Sequence, residues 1–452
     1  MASKKELVEA HAFSRRRLVT AFVSGAPGGR EVEPARPGRT LVGGAALALL
    51  LVAGAAIAGI FSGRTAVDWD SQGLILSKGT GQLYVIPEDG GDLYPVVNMA
   101  SARLILGDPD VEPTTVKDED IRKRRPGGVR GILDAPSVLP LPDDLISEGW
   151  TACTDTGVGI RLSVAAEPDV RVVDGGAFVV TTGQGEFYLL AQPAATASGP
   201  SSAYAFKLPG GDRLANGVRD DFLNRLGLPI GRQAVEVSEQ FLRLFPVGGD
   251  ISLFTMGVPA EAQAVKDGSR AWLETDSGPV LLDPFSLAAY SALTGREPRA
   301  GQAPTQAQEV GPFADAHWPD ALPTEALGGP CGMLMAESGE TPRVLLAQSP
   351  NGEASPTETG AGERQAVVEA GRGAYVLSAS WSADASGDPF LVDTNGIRYP
   401  LVGAGAAQAL GYGDVDPVVV PDTWVELFTP GTELSRDRAA CPPTHVGGKA
   451  CE

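Results

Sequence analysis

The 22 residues from Thr40 to Phe61 (TLVGGAALALLLVAGAAIAGIF) contain no charged side chain and lie between Arg36 and Arg39 on one side and Arg64 on the other. As a helix, such a run covers about 33 Å, enough to cross the roughly 30 Å hydrocarbon layer of a bilayer. The rest of the chain is thereby divided between two compartments. Before the run, Lys4, Lys5, Arg15, Arg16, Arg17, Arg30, Arg36 and Arg39 stand against Glu6, Glu9, Glu31 and Glu33, a net of +4. The whole chain carries −20, which leaves −24 for the 391 residues that follow the run. Positive flanks stay in the cytoplasm. The expected topology is therefore a single-pass protein of the cell membrane, with a cytoplasmic N-terminus and a large acidic extracytoplasmic region.

Two export signals compete with that reading. Ala56-Ile57-Ala58 before Gly59 fits a small-residue cleavage site, and Ser14-Arg15-Arg16-Arg17-Leu18-Val19 fits a twin-arginine signal. The apolar run is longer than the 7–15 residues of a signal core. Gly25-Ala26-Pro27-Gly28-Gly29 and Pro34 and Pro37 also part the basic triplet from it. A retained span is expected.

With 43% hydrophobic residues, the long region after the span can bury a core of two or three packed units. Gly (57) and Pro (36) make up about a fifth of the chain, which calls for many turns and few long helices. An acidic surface excludes nucleic acid, whose phosphates demand a Lys/Arg excess, and disfavours lying on anionic lipid. All four cysteines, Cys153, Cys331, Cys441 and Cys451, follow the span, where disulfides persist. Three pairings are open. The ten-residue spacing of Cys441 and Cys451 in a Pro/Gly-rich tail favours Cys153–Cys331 with Cys441–Cys451. Cys441, His445 and Cys451 offer only three ligands where a closed zinc site wants four, so no metal is expected.

The N-terminal stub places Leu7, Val8, His11 and Ala12, then Leu18, Val19, Phe22 and Val23, on helical spacing. It reads as one amphipathic helix with a basic face, ending near Gly25, within a cytosolic segment 1–39. Too short to be stable alone, it serves either as a solvated anchor or, preferably, as a docking element for another subunit.

A degenerate repeat runs through the region beyond the span. Leu83 to Val97 leading to Leu106-Gly107, and Phe390 to Val402 leading to Leu410-Gly411-Tyr412, both read as strand, Asp/Asn-Gly turn, strand and a short helix closed by Gly. Trp272 to Asp283 followed by Leu287–Gly295 is a third copy. Phe187 to Leu190, an insertion, Tyr204 to Phe206 and Phe222 to Gly227 form a looser fourth. Four such units at irregular spacing imply a β-rich α+β region after one transmembrane helix, a solenoid-like or ring-like array rather than a tight tandem solenoid. The expected divisions are 1–39, the span 40–61, a first module with charged connector at 62–150, and a central domain with the second and third modules at 151–330. A fourth module with the return of the chain follows at 331–440, then a Cys-containing tail at 441–452. Residues 108–130 read as a charged connector, 297–330 as a linker and 345–366 as a surface loop. The run Arg122–Arg125, preceded by Asp118, Glu119 and Asp120, reads as a self-neutralising turn.

Motifs that carry chemistry are missing. Gly447-Gly448-Lys449-Ala450 has Pro443 where the first Gly of a P-loop belongs and Ala where its hydroxyl belongs. Only His11, His317 and His445 are present, His11 falls on the cytoplasmic side, and no Gly-x-Ser-x-Gly elbow accompanies the others. No catalytic or cofactor-binding residue is assigned. The layout suits assembly.

These residues resemble the EccB family, the membrane component of type VII (ESX) secretion systems. The likeness rests on the basic helix with Arg36-Pro37 before the span, Gly131-Ile132-x-x-Ala135-Pro136, Trp150-x-x-Cys153 and the late Cys331. It continues through Asn395-Gly-Ile-Arg-Tyr399-Pro400, Leu410-Gly411-Tyr412 and Val420-Pro421-x3-Val425-x-Leu427-Phe428-x-Pro430-Gly431. The resemblance implies a structural core subunit of a secretion complex. Its partners would be other copies of itself, an EccC-type motor ATPase, EccD, EccE and a mycosin protease, with membrane lipid around its span. It further implies four hairpin/helix repeat modules around a central mixed β domain and a disulfide closing the exported domain, a role that falls to Cys153–Cys331, and leaves the pairing of Cys441 with Cys451 open. Family members are described as ATPases, a label that no nucleotide motif in this sequence supports. The competing class is a membrane-anchored extracytoplasmic enzyme, an ATPase or cell-wall hydrolase, or a glycan-binding module.

Overall fold

The computed structural model describes residues 4–24, 69–154, 159–193, 201–229, 234–275, 278–305, 313–349, 362–381, 386–444 and 451. The chain divides into two compact units, Met1–Val67 and Asp68–Glu452. The uncharged run 40–61, its small-residue face and most of the loop expected at 345–366 lie outside the described residues. Among the described residues no helix is long and apolar enough to cross a membrane.

In the first unit the helix Lys4–Ser24 forms over the expected stretch, and its described side chains are exposed. It lacks one clean basic face. Successive residues step by about 100° around a helix, so Arg15, Arg16 and Arg17 fan across about 200°, and Lys4 and Arg15 share a face with Val8, Leu18 and Phe22.

The second unit is a β-rich α+β body in which four of five sheets share one succession of elements. In the N-terminal sheet Gly73–Ser77, Leu83–Ile86 and Tyr94–Val96 form an antiparallel meander; the helix Met99–Leu106 follows, and Pro113–Val116 returns parallel to the first strand. The second sheet runs Gly176–Thr182, Phe187–Ala191, Tyr204–Lys207, helix Arg213–Leu226 and Val235–Val237, again parallel to its first strand. The third runs Ala264–Asp267, Arg270–Thr275, Gly278–Leu282, helix Pro284–Thr294 and Arg299–Ala300. The C-terminal sheet runs Ala374–Ala379, Asp388–Val392, Ile397–Pro400, helix Ala406–Leu410 and Val418–Pro421. A parallel return needs a crossover, which the helix supplies.

Local chemistry sets the helix ends. Asn98, Asp212 and Asp283 each accept a bond from the backbone N–H three residues on, filling an orphan donor of the first turn. Gly107, Gly227, Gly295 and Gly411 close the four helices at φ between 64° and 100°, the left-handed region in which a side chain would be strained. The two flanking strands of each unit were not legible as such. Pro113–Val116 falls inside the stretch expected to be a charged connector, and Arg299–Ala300 inside the expected linker 297–330. That linker also supplies Phe313 and Trp318 to the core.

The fifth sheet holds the others. Its strand order is Arg364–Val368, Ile160–Val164, Trp150–Thr154, Pro330–Met335, Arg343–Gln348 and Arg171–Val172, so it is assembled from segments on both sides of the second and third sheets. Residues 345–348 and 364–366 of the expected loop are therefore strand. Cys153 lies directly opposite Cys331 on adjacent antiparallel strands, Cα atoms 4.1 Å apart, and the two are joined by a disulfide. Trp150, on the opposite face of the strand from Cys153, is fully buried, with its ring 5.4 Å from Phe428 in an edge-on contact. Trp424 donates its indole N–H to the Leu244 carbonyl at 3.0 Å.

Because the Cys153–Cys331 bond closes a loop of 178 residues, the chain-entropy argument gives it up to about 5 kcal/mol. Replacing both cysteines by Ala should lower the denaturant midpoint of the full chain correspondingly. An unchanged midpoint, or peptide mapping that finds both thiols free in the mature protein, would remove the bond as a closure of the sheet.

Candidate assembly surfaces

The N-terminal and C-terminal sheets meet at a seam built from three helices. Met99–Leu106 packs against Ala406–Leu410 and against Arg436–Ala439, with Ala100, Leu104, Tyr399, Leu410, Leu434 and Ala439 in one buried cluster. The connector from the first sheet threads the seam. Asn98 Nδ2 donates to the Ile132 carbonyl at 2.7 Å, Ile132 N–H donates to Ser101 Oγ at 2.9 Å, and Gly131 N–H donates to the Cys441 carbonyl at 3.0 Å. A Cβ at Gly131 would lie 2.5 Å from Val97 and 2.9 Å from Ser101 Oγ, so only glycine fits. The Gly131-Ile132-x-x-Ala135-Pro136 motif thus records a joint: Ile132 and Pro136 are buried, and the Tyr412 hydroxyl donates to the Pro140 carbonyl at 2.8 Å just beyond.

Beside the seam opens a groove of ≈ 800 Å³ lined by Tyr94, Arg130, Val402, Arg436, Arg438 and Cys451 among others. Glu433 and Asp437 line it too, so its charge is mixed. Arg130 donates to the Ala440 carbonyl at 2.8 Å and covers the Tyr94 ring, while Arg436 Nε donates to the Leu104 carbonyl at 3.2 Å. These cations fasten backbone across the seam. Cys441 and Cys451 are bonded to each other, their Cα atoms 5.4 Å apart, which brings the tail back to the groove wall.

The remaining candidate groups are spread apart. His317 is exposed and stacks on Tyr204 with ring centroids 4.4 Å apart; His11 lies on the N-terminal helix; His445 and residues 447–450 lie outside the described residues. Among the described residues no group of three or more His, Cys, Asp or Glu could hold a metal ion. The carboxylates that accept backbone N–H bonds serve turns and helix starts. Asp393 accepts from the N–H groups of Asn395 and Ile397, both at 3.0 Å, which fixes the turn in the Asn395–Pro400 motif. Asp118 accepts from Ser77 Oγ and Gly79 N–H, bonds that hold its carboxyl below the usual range. Burial pushes the capping Asp283 carboxyl up. The basic run meets nearby acids: Lys123 pairs with Asp120 at 2.7 Å, and Arg124 pairs with Asp70.

Among the described residues, exposed large apolar side chains occur singly, as at Leu214 and Leu327, and in groups at three places. The N-terminal helix displays Leu7, Val8, Phe13, Leu18, Val19 and Phe22; the connector displays Leu133, Val138 and Leu141; and the segment after the second sheet displays Val247 and Phe254. Sequence reasoning assigned no role to Val247 or Phe254, because an apolar residue among Leu, Phe and Met neighbours reads as core.

The family described as "Type VII secretion system ESX-1, transport TM domain B" matches residues 1–270 and 338–444. The ESX-1 secretion system ATPase EccB1 of Mycobacterium tuberculosis is 27% identical over 441 residues, covering 89% of this chain and 86% of the relative. The ESX-3 secretion system ATPase EccB3 of the same organism is 26% identical over 436 residues, covering 81% and 76%. The fold resembles a chain of an intact ESX-5 inner membrane complex at TM-score 0.60 and 21% identity, covering 100% of this chain and 98% of that one. It also resembles the EccB3 dimer from the ESX-3 core complex at TM-score 0.60 and 21% identity, covering 82% and 100%.

The seam has a pH signature. Burial first, then the charge of Asp393, pushes the Tyr399 hydroxyl up to about 12, and burial raises that of Tyr412 as well. A raised phenol pKa means the folded state holds its proton more tightly than the unfolded chain, whose tyrosines titrate near about 10. The stabilisation is complete below pH about 10 and is lost as pH climbs toward about 12. Melting temperatures measured across that window should fall, and Tyr399→Phe should flatten the fall; an unaltered slope in the variant would refute the assignment. Tyr412→Phe should cost about 1–3 kcal/mol at neutral pH by leaving the Pro140 carbonyl short of a donor.

Proposed function

Since the chain belongs to the EccB family of type VII secretion proteins, we propose that it is a structural core subunit of an ESX-type secretion complex. It joins cytosolic and membrane subunits to an extracytoplasmic assembly around the export conduit. The match of the family over both the N-terminal stub and most of the second unit carries this reading. In it, residues 40–61 form a single span and the N-terminal helix docks on a cytosolic or membrane partner. The second unit stands outside as four repeat modules around the central sheet. The four sheets that share one strand order support the modular part, and the +4 to −24 charge asymmetry supports the orientation. The partners are other copies of this chain, the EccC-type motor, EccD, EccE and the mycosin protease.

Relatives bear the name ATPase, and a second reading would give this chain nucleotide hydrolysis. What favours scaffolding is chemical: the groove is walled by arginines that hold backbone carbonyls, and the Gly-rich cradle and hydroxyl that a P-loop needs are missing from the sequence.

Affinity capture of the full chain from detergent-solubilised membranes should return a large complex containing an FtsK-like motor; recovery as a free monomer would count decisively against the proposal. Purified protein, stringently freed of contaminants, should turn over no ATP above a blank, and persistent turnover would favour the enzyme. Replacing residues 40–61 with an unrelated span of the same orientation should preserve export and folding while weakening assembly, if packing through Gly43, Gly44, Gly54, Ala55 and Ala56 matters.

A further inference from the structure

We propose that the groove beside the seam is a binding site for an extended peptide segment that presents one carboxylate next to an apolar side chain. Two of its arginines are fixed by bonds that leave part of each guanidinium unused. Arg436 Nε donates to the Leu104 carbonyl at 3.2 Å, at the end of the helix Met99–Leu106, and its terminal nitrogens lie against Gly107, where a Cβ would stand 3.1 Å from Nη2. Arg130 gives Nη1 to the Ala440 carbonyl at 2.8 Å and sits over the Tyr94 ring. Both side chains are thus held in place with donors left over. An arginine fork so prepared receives a carboxylate at little further cost in side-chain freedom.

The acids of the groove do not take those donors. Among the described residues neither Glu433 nor Asp437 forms an ion pair, although both line the groove. Arg130, Arg436 and Arg438 against Glu433 and Asp437 leave the lining at +1, within a region that carries −24. That balance selects the ligand. A single carboxylate is matched, whereas a di- or triphosphate would bring several negative charges against Glu433 and Asp437. The remaining lining suits a polypeptide. Val402 is 44% exposed there, and Ile105 and Tyr94 are half-buried, so apolar side chains have surface to cover. The exposed Gly403 and Ala404 make no backbone N–H bond among the described residues, which leaves two donors for the carbonyls of an extended chain. At ≈ 800 Å³ the groove falls within the about 300–1,000 Å³ of specific ligand sites.

The test pans a phage-displayed library of random heptapeptides against the full chain in detergent, with Arg436→Gln as the counter-target. Peptides enriched on the parent should share one Asp or Glu next to a Val, Ile or Leu. A synthetic copy of an enriched peptide should bind the parent at least about ten-fold more tightly than it binds Arg436→Gln, and than the parent binds the same peptide with Gln or Asn in place of its acid. Because Arg436 also fastens the seam, Val402→Asp is the second variant. Its side chain makes no bond across the seam, so the melting temperature should stay unchanged while the added carboxylate repels the peptide to a comparable loss. No enrichment over the counter-target, enrichment that ignores the acid, or binding that survives Val402→Asp overturns the inference. So does pyrophosphate binding as tightly as the peptide, which would mark a phosphate site. The core role proposed above stands or falls separately, on capture of the motor.

Discussion

Trp424 touches three parts of the second unit at once, and the arrangement of the sheets follows from that contact. It belongs to the helix Asp422–Val425 that follows the C-terminal sheet, its indole N–H is bonded to Leu244 from the segment after the second sheet, and its ring lies on the central sheet over Gly332. A Cβ at Gly332 would stand 3.1 Å from Val344 and 3.3 Å from the Phe245 ring, tighter than side chains usually pack, and would meet the Trp424 ring at 3.4 Å in ordinary contact, so glycine there eases the fit of Val344 and Phe245. Truncating a buried ring of this size costs about 3–5 kcal/mol, a large share of the about 5–15 kcal/mol by which a domain is stable.

Around that contact the smaller sheets are joined in pairs. The second and third share Phe206, Phe222 and Phe285, with Phe222 and Phe285 edge-on at 5.5 Å. The N-terminal and C-terminal sheets share the seam clasped by Tyr412, Arg436 and the Gly131 joint. Each of these four- or five-stranded sheets carries one short helix, too little to cover a sheet face, and so each packs against a neighbour. A body of this construction resists deformation and presents surfaces at fixed separations. That property serves a subunit whose work is to position others.

The sequence made the hairpin-plus-helix cores visible through their turn residues, capping Asn and Asp, and terminal glycines. It concealed the first strand and the parallel return strand of each sheet. Arg299–Ala300 is two residues long and Pro113–Val116 carries no strong alternation, so neither has a local signal; each exists because an earlier strand offers it a partner. The central sheet was hidden for a similar reason. Trp150–Thr154 pairs with Pro330–Met335, Cys153 meeting Cys331 across 178 positions, and Ile160–Val164 pairs in parallel with Arg364–Val368, Ile160 meeting Arg364. The candidate surfaces were legible in part: the N-terminal helix announced its apolar residues, while nothing in the run from Leu244 to Val258 distinguished the one phenylalanine that faces water from those that do not.

By itself the sequence determined the uncharged run that partitions the chain, the sign of each side, the local turns and caps, and the lack of catalytic motifs. These are properties of neighbouring residues, set by composition and by interactions within one helical turn or hairpin. Tertiary structure alone decided which strands return in parallel, that arginines around the groove hold carbonyls, and that Phe254 stays outside the core. Those outcomes depend on segments one to three hundred residues apart meeting at van der Waals distance. Side-chain burial is a property of that meeting and of no single stretch of sequence.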